Sequence, residues 1–150
     1  MELKIPPPLL ALIFAATMWG ISKADILSVT VPGLMEPLSL VVLALGLGTN
    51  ILAVISFRRA STTVNPTKPE MTTQLVSSGI YSMTRNPMYL GVLLVLLSWA
   101  IWLGSVLNFV VLFLFVWYMT IFQIIPEERA LKKIFPGTFN TYKSRVRRWI

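Results

Sequence analysis

Tyr81, Arg85, Asn86 and Tyr89 fall within one short stretch, 77–91, that opens directly into an uncharged hydrophobic run. A guanidinium, an amide and two phenols at such an edge form a denser polar cluster than a lipid anchor requires. Arg85 alone can snorkel to lipid phosphates or bind a carboxylate in a site. Tyr81 and Tyr89 are either interfacial aromatics or walls of that site. The acidic pair Glu127-Glu128 lies just past the other end of the run. Acids at a lipid interface are costly unless paired or capping. The pair either supports a helix start and meets Arg129, Lys132 or Arg85, or it offers a carboxylate to a cationic or amine-bearing ligand. Gly46-x-Gly48 is a weaker signal. It allows close helix packing, or it lays a cofactor edge against bare backbone.

Much other chemistry is excluded by composition. The chain has no cysteine and no histidine, which removes thiolate sites, disulfides, a Ser-His-Asp set and the usual general base. Six acidic residues make a carboxylate metal cage improbable, so no metal is expected. Neither a G-x-G-x-x-G nor a P-loop is present. Hydrophobic residues make up 55% and charged residues 13%, about half the roughly 25% charged of a soluble domain. Lipid is therefore the main solvent. The net charge of +7 then reflects the basic bias of cytoplasmic loops rather than nucleic-acid binding.

The elements that must position these residues follow from the uncharged runs. The 150 residues suit one domain, 1–150. Residues 5–22 are uncharged and predict a retained helix over 7–23, against the competing reading of a cleaved signal peptide. Residues 37–57 predict a second span, with Pro37 as its first helical residue. The run 87–125 is too long for one span of about 20 residues. Leu103-Gly104-Ser105 divides it into spans over 87–103 and 106–125. Pro87 starts the third span, and Asn86 before it is pushed out of helical geometry. The tail, 126–150, starts a new helix at Pro126 and carries Phe139, Tyr142, Val146 and Trp149 on one helical face. Basic residues fill much of its remainder, which predicts an interfacial amphipathic helix on the membrane surface. With four spans, Lys4, Arg58, Arg59, Lys68, Arg85 and the basic tail share one side, and Lys23 is alone on the other. That shared side is cytoplasmic. The fold class is all-α and integral to a membrane, read as a bacterial inner membrane with both termini cytoplasmic.

Gly79-Ile80-Tyr81, Arg85-Asn86-Pro87-Met88-Tyr89 and Gly91 resemble the motif of the integral-membrane methyltransferases, the isoprenylcysteine carboxyl and phospholipid N-methyltransferases. The tail, with Glu127-Glu128, Leu131, Phe135, Tyr142, Val146 and Arg147, is similar to that family's closing segment. The resemblance covers about residues 40–150. Thr62-Thr63-Val64-Asn65-Pro66 also looks like bacterial isoprenylcysteine methyltransferase-like members.

The resemblance implies S-adenosylmethionine as cofactor and a lipophilic methyl acceptor. It places the cofactor at Thr73, Gln74, Leu75 and Val76, at Tyr81, at Asn86, Pro87, Met88 and Tyr89, and at Glu127. The phospholipid branch adds Gly46, Gly48 and Glu128. Where the prenylcysteine enzyme has a substrate-linked arginine, this chain has Gln123. Arg85, Asn86 and Gln123 are the catalytic candidates. A carboxylate acceptor needs no base, whereas an amine or thiol must arrive deprotonated. Two other readings remain open: a membrane-embedded NADPH-dependent reductase, and a non-catalytic adaptor whose basic tail binds lipid or a partner.

Overall fold

The computed structural model describes residues 5–24, 27–29, 31–60 and 74–150. Lys4, Lys68, Thr73 and the stretch 62–66 lie outside the described residues.

Proline and glycine set the helix ends. α1 (Pro7–Lys23) begins with proline at its first turn, where a missing N–H leaves no bond unmade. α2 (Met35–Arg59) extends the expected second span by two residues at each end. A single 3-10 turn (Gly79–Ser82) precedes α3 (Pro87–Leu103). Asn86 sits outside helical geometry at φ −129° and ψ 56°, as the residue before a proline should. Gly104 ends α3 in the left-handed region at φ 66°, and its N–H bonds back to Ala100 and Ile101 at 3.1 and 3.2 Å. The chain then turns within four residues into α4 (Asn108–Met119).

The end of this last long helix differs from expectation. No break occurs at Pro126. The helix runs on through a π turn (Thr120–Ile124) into α5 (Ile125–Ile134), giving one element of 27 residues. Proline has no N–H for the preceding turn, and the wider π turn accommodates that missing bond without ending the helix. The break falls instead at Phe135, at φ −126° and ψ 60°, ahead of Pro136, which starts α6 (Pro136–Arg145). The tail is thus two helices rather than one. Its apolar stripe does not face outward either. Phe139, Tyr142 and Val146 are buried together against Leu75, Leu131 and Phe135, and Trp149 joins the main core. The stripe expected on a membrane surface is docked on the protein.

α2 and α3 approach closely. A methyl placed on Gly46 would lie 2.9 Å from the Gly91 carbonyl and 3.0 Å from the Val95 nitrogen. One on Gly91 would meet the Asn50 carboxamide at 2.6 Å. The main core joins α1, α3 and α4 through Met18, Leu96, Ala100, Phe115 and Met119. Phe14 meets Phe115 edge-on at 5.3 Å. Two polar side chains inside this core bond across helices, as an apolar medium favours. Trp99 donates to the Ala15 carbonyl at 3.1 Å, and Asn108 to the Ser22 hydroxyl at 3.0 Å.

The outside is apolar as well. Leu45, Leu52, Phe113 and Trp117 are exposed, a pattern that water would not stabilise. α2 and the 27-residue helix are each long and apolar enough to cross a bilayer, while α1 and α3 are apolar and shorter. The regular elements among the described residues are all helical, and the chain is a membrane protein.

Candidate functional site

The first turn of α3, the start of α5 and the chain's last residues converge. Glu128 lies at their centre. Arg85 Nη2 reaches its Oε1 at 2.9 Å, and Arg148 grips both oxygens, at 3.0 and 2.8 Å. Arg85 is therefore an enclosed ion-pair partner, its side chain only 8% exposed, and not a snorkelling anchor. Burial pulls its pKa down, with Glu128 acting in the opposite direction. The hydrogen bonds from Arg148 to Glu128 raise the Arg148 pKa. Both guanidiniums stay charged at any ordinary pH.

Glu127 has different company. Its Oε1 accepts from the Tyr89 hydroxyl, and no basic side chain forms an ion pair with it among the described residues. Two neighbouring carboxylates thus have opposite environments: Glu128 holds two cations, and Glu127 holds a phenol.

The polar residues of the mouth also bind the tail. The Arg85 N–H donates to the Arg147 carbonyl at 3.0 Å. The Thr84 hydroxyl and the Asn86 side-chain amide both donate to the Arg148 carbonyl, at 3.3 and 2.8 Å. The Tyr142 hydroxyl donates to the Tyr81 carbonyl at 2.7 Å, and the Trp149 indole to Thr120 at 3.1 Å. Burial raises the pKa of Tyr81 and Tyr142, so both phenols stay neutral, and Tyr142 donates as such.

The structure brings Arg85, Asn86, Tyr89, Glu127 and Glu128 into one polar cluster. Val76 and Tyr81 are buried beside it with Ala53, and Met88 and Phe57 pack against them. Phe57 meets the Tyr81 ring edge-on at 5.3 Å. Pro87 is buried at the helix start, and Leu75 packs on the tail. Four expected residues lie apart from this grouping. Gln74 is exposed. Gly46 is committed to the α2–α3 contact, and Gly48 has open space around it. Gln123 is fully buried one helical turn before Glu127, where its amide donates to the Ile5 carbonyl at 2.8 Å.

Three participants escaped the sequence reading: Thr84, Arg148 and the Tyr142 hydroxyl. Apart from the local bond from the Asn86 N–H to the Thr84 hydroxyl, their partners lie more than 60 residues away, or 20 for the Arg148 pair with Glu128. No spacing rule reports such contacts. The surplus of basic residues in the tail over its two acids was the one available signal, and it did not single out Arg148.

The donor set suits a zwitterion. Glu127 is a carboxylate with no cation in contact among the described residues. The Nε and Nη1 groups of Arg85 are buried with no partner there. An α-amino acid has an ammonium for the first and a carboxylate for the second. Among the described residues no cluster of acids could hold a metal.

The family model described as phospholipid methyltransferase matches residues 35–138. An uncharacterised protein of Haemophilus influenzae (strain ATCC 51907 / DSM 11121 / KW20 / Rd) is 41% identical over 63 residues, covering 42% of this chain and 100% of that relative. No solved structure matches.

Proposed function

The chain belongs to the phospholipid methyltransferase family, and on that premise we propose that it transfers a methyl group from S-adenosylmethionine to a lipophilic acceptor at the cytoplasmic leaflet. One observation carries the reading. Among the described residues no cation pairs with Glu127, while Arg85, bound to the adjacent Glu128, keeps two buried donors unpartnered. This arrangement fits the ammonium and carboxylate of the cofactor's amino-acid end.

Bound there, S-adenosylmethionine would supply an electrophilic methyl group on a sulfonium. The chain's own residues do the rest. Glu127, oriented by the Tyr89 hydroxyl, holds the ammonium. Arg85 holds the carboxylate. Val76, Tyr81 and Met88 supply the apolar wall. Methyl transfer leaves a neutral thioether: an anionic acceptor cancels the sulfonium charge and a neutral one takes it over, so alignment and exclusion of water contribute much of the rate. The packed ends of α3 and α5 provide that enclosure.

The four apolar helices are proposed to span the membrane with the site at the cytoplasmic end. Lys143, Arg145 and Arg147 are exposed on the tail, so they face that leaflet's anionic headgroups.

Calorimetry in detergent tests the reading. S-adenosylmethionine or its demethylated product should bind, and Glu127→Ala should weaken that binding about tenfold or more, as expected for a lost charged contact. Binding of a nicotinamide cofactor instead would move the protein to the reductases. Binding of neither would make it an adaptor.

A further inference from the structure

Two guanidiniums share Glu128. Arg148 makes the two-point fork that a guanidinium and a carboxylate favour. Arg85 reaches the same carboxylate through Nη2 alone. Because the fork is already taken, Arg85 keeps Nε and Nη1 unpartnered among the described residues, and both are buried. Enclosed donors without acceptors are destabilising, so a partner that satisfied them would bind favourably.

Arg148 reaches this position by a defined route. The carbonyls of Arg147 and Arg148 accept hydrogen bonds from the Arg85 N–H, the Thr84 hydroxyl and the Asn86 amide. Trp149 is held by Thr120. The last residues of the chain form a strap across the first turn of α3, and the strap aims Arg148 at Glu128.

We infer that Arg148 is a positioning residue: by occupying the Glu128 fork, it keeps two N–H groups of Arg85 open for the carboxylate of an α-amino-acid ligand. The inference rests on the methyl-transfer reading, which supplies such a ligand in the amino-acid end of the cofactor. Without Arg148, Glu128 is free to close a two-point pair on Arg85 and take up the donors that the ligand needs.

The test compares two ligands on the full chain in detergent. S-adenosylhomocysteine carries the amino-acid end, and 5′-methylthioadenosine lacks it. The wild type should bind the first more tightly. Arg148→Gln should weaken S-adenosylhomocysteine about tenfold, the scale of one charge-assisted hydrogen bond, and leave methylthioadenosine unchanged. Arg148→Lys, a one-point partner, should fall between. Methylthioadenosine binding also shows that each variant is folded. If Arg148→Gln weakens both ligands equally, or neither, the inference is overturned. It is overturned alone if the wild type binds the two ligands equally. A wild type that binds neither ligand overturns the methyl-transfer reading and the inference with it.

Discussion

The side-chain amide of Asn86 donates to the backbone carbonyl of Arg148 at 2.8 Å, across 62 residues of chain. Asn86 is also the residue that Pro87 forces out of helical geometry. That local constraint points its amide away from α3 and toward the chain's end. Asn86→Asp would replace the donor by an acceptor and set it against a carbonyl oxygen. An unmade bond of this kind costs about 1–3 kcal/mol. Amide exchange over residues 146–149 should quicken about tenfold or more by mass spectrometry. Unchanged exchange would mean that the strap is held without Asn86.

Tyr89 and Glu127 give a second prediction. Tyr89→Phe removes the one hydroxyl that the described structure sets against Glu127. Leaving a buried acceptor without its donor destabilises by about 1–3 kcal/mol. Glu127→Gln should be milder, because its amide oxygen still accepts from the phenol. Denaturation in detergent ranks the two. The reverse order would show that Glu127 matters to stability through its charge rather than through Tyr89.

Helix positions were legible in the sequence, and the site only in part. α1 and α3 fall on the expected residues because prolines mark both starts and a left-handed glycine ends α3. Pro126 misled because a proline ends a helix only when the missing bond has no remedy, and the π turn supplies one. The stripe Phe139, Tyr142 and Val146 was correctly read as apolar, but periodicity does not say whether lipid or protein covers such a face. The same limit applies to Arg85. Its type suggests a phosphate anchor as readily as an enclosed ion pair, and only Glu128, 43 positions later, decides between them.

The glycines of α2 and α3 should rank by what surrounds them. Gly46→Ala forces a methyl against backbone atoms of α3, which cannot move without separating the helices. A cost of about 1–3 kcal/mol is expected for such overpacking. Gly91→Ala meets the Asn50 side chain, which can rotate, so its effect should be smaller. Gly48→Ala has room and should stabilise by up to about 1 kcal/mol, since alanine orders a helix better than glycine. Thermal midpoints of the three variants in one detergent give the order. A destabilised Gly48→Ala would indicate that the position contacts something other than this chain.

Membrane topology gives the last test. Leu27–Val29 meets the α3–α4 hairpin: Val29 donates to Gly104 at 2.7 Å and Val106 donates to Leu27 at 3.1 Å. Ser28 therefore lies at the end of the bundle where α3 finishes. Ser144 lies on the tail, which is fastened to the other end of α3 by the Arg85 and Asn86 contacts. The 17 residues of α3 separate these ends by about 25 Å at 1.5 Å per residue, close to the apolar thickness of a bilayer. The natural chain has no cysteine, so Ser28→Cys and Ser144→Cys each create one labelling site, and both positions are exposed. In right-side-out cells an impermeant maleimide should modify position 28 and spare position 144. In inverted vesicles the pattern should reverse, because the basic tail belongs on the cytoplasmic side. Labelling of both positions from one side would rule out the four-span arrangement, and with it the placement of Glu127 and Arg85 at the cytoplasmic leaflet.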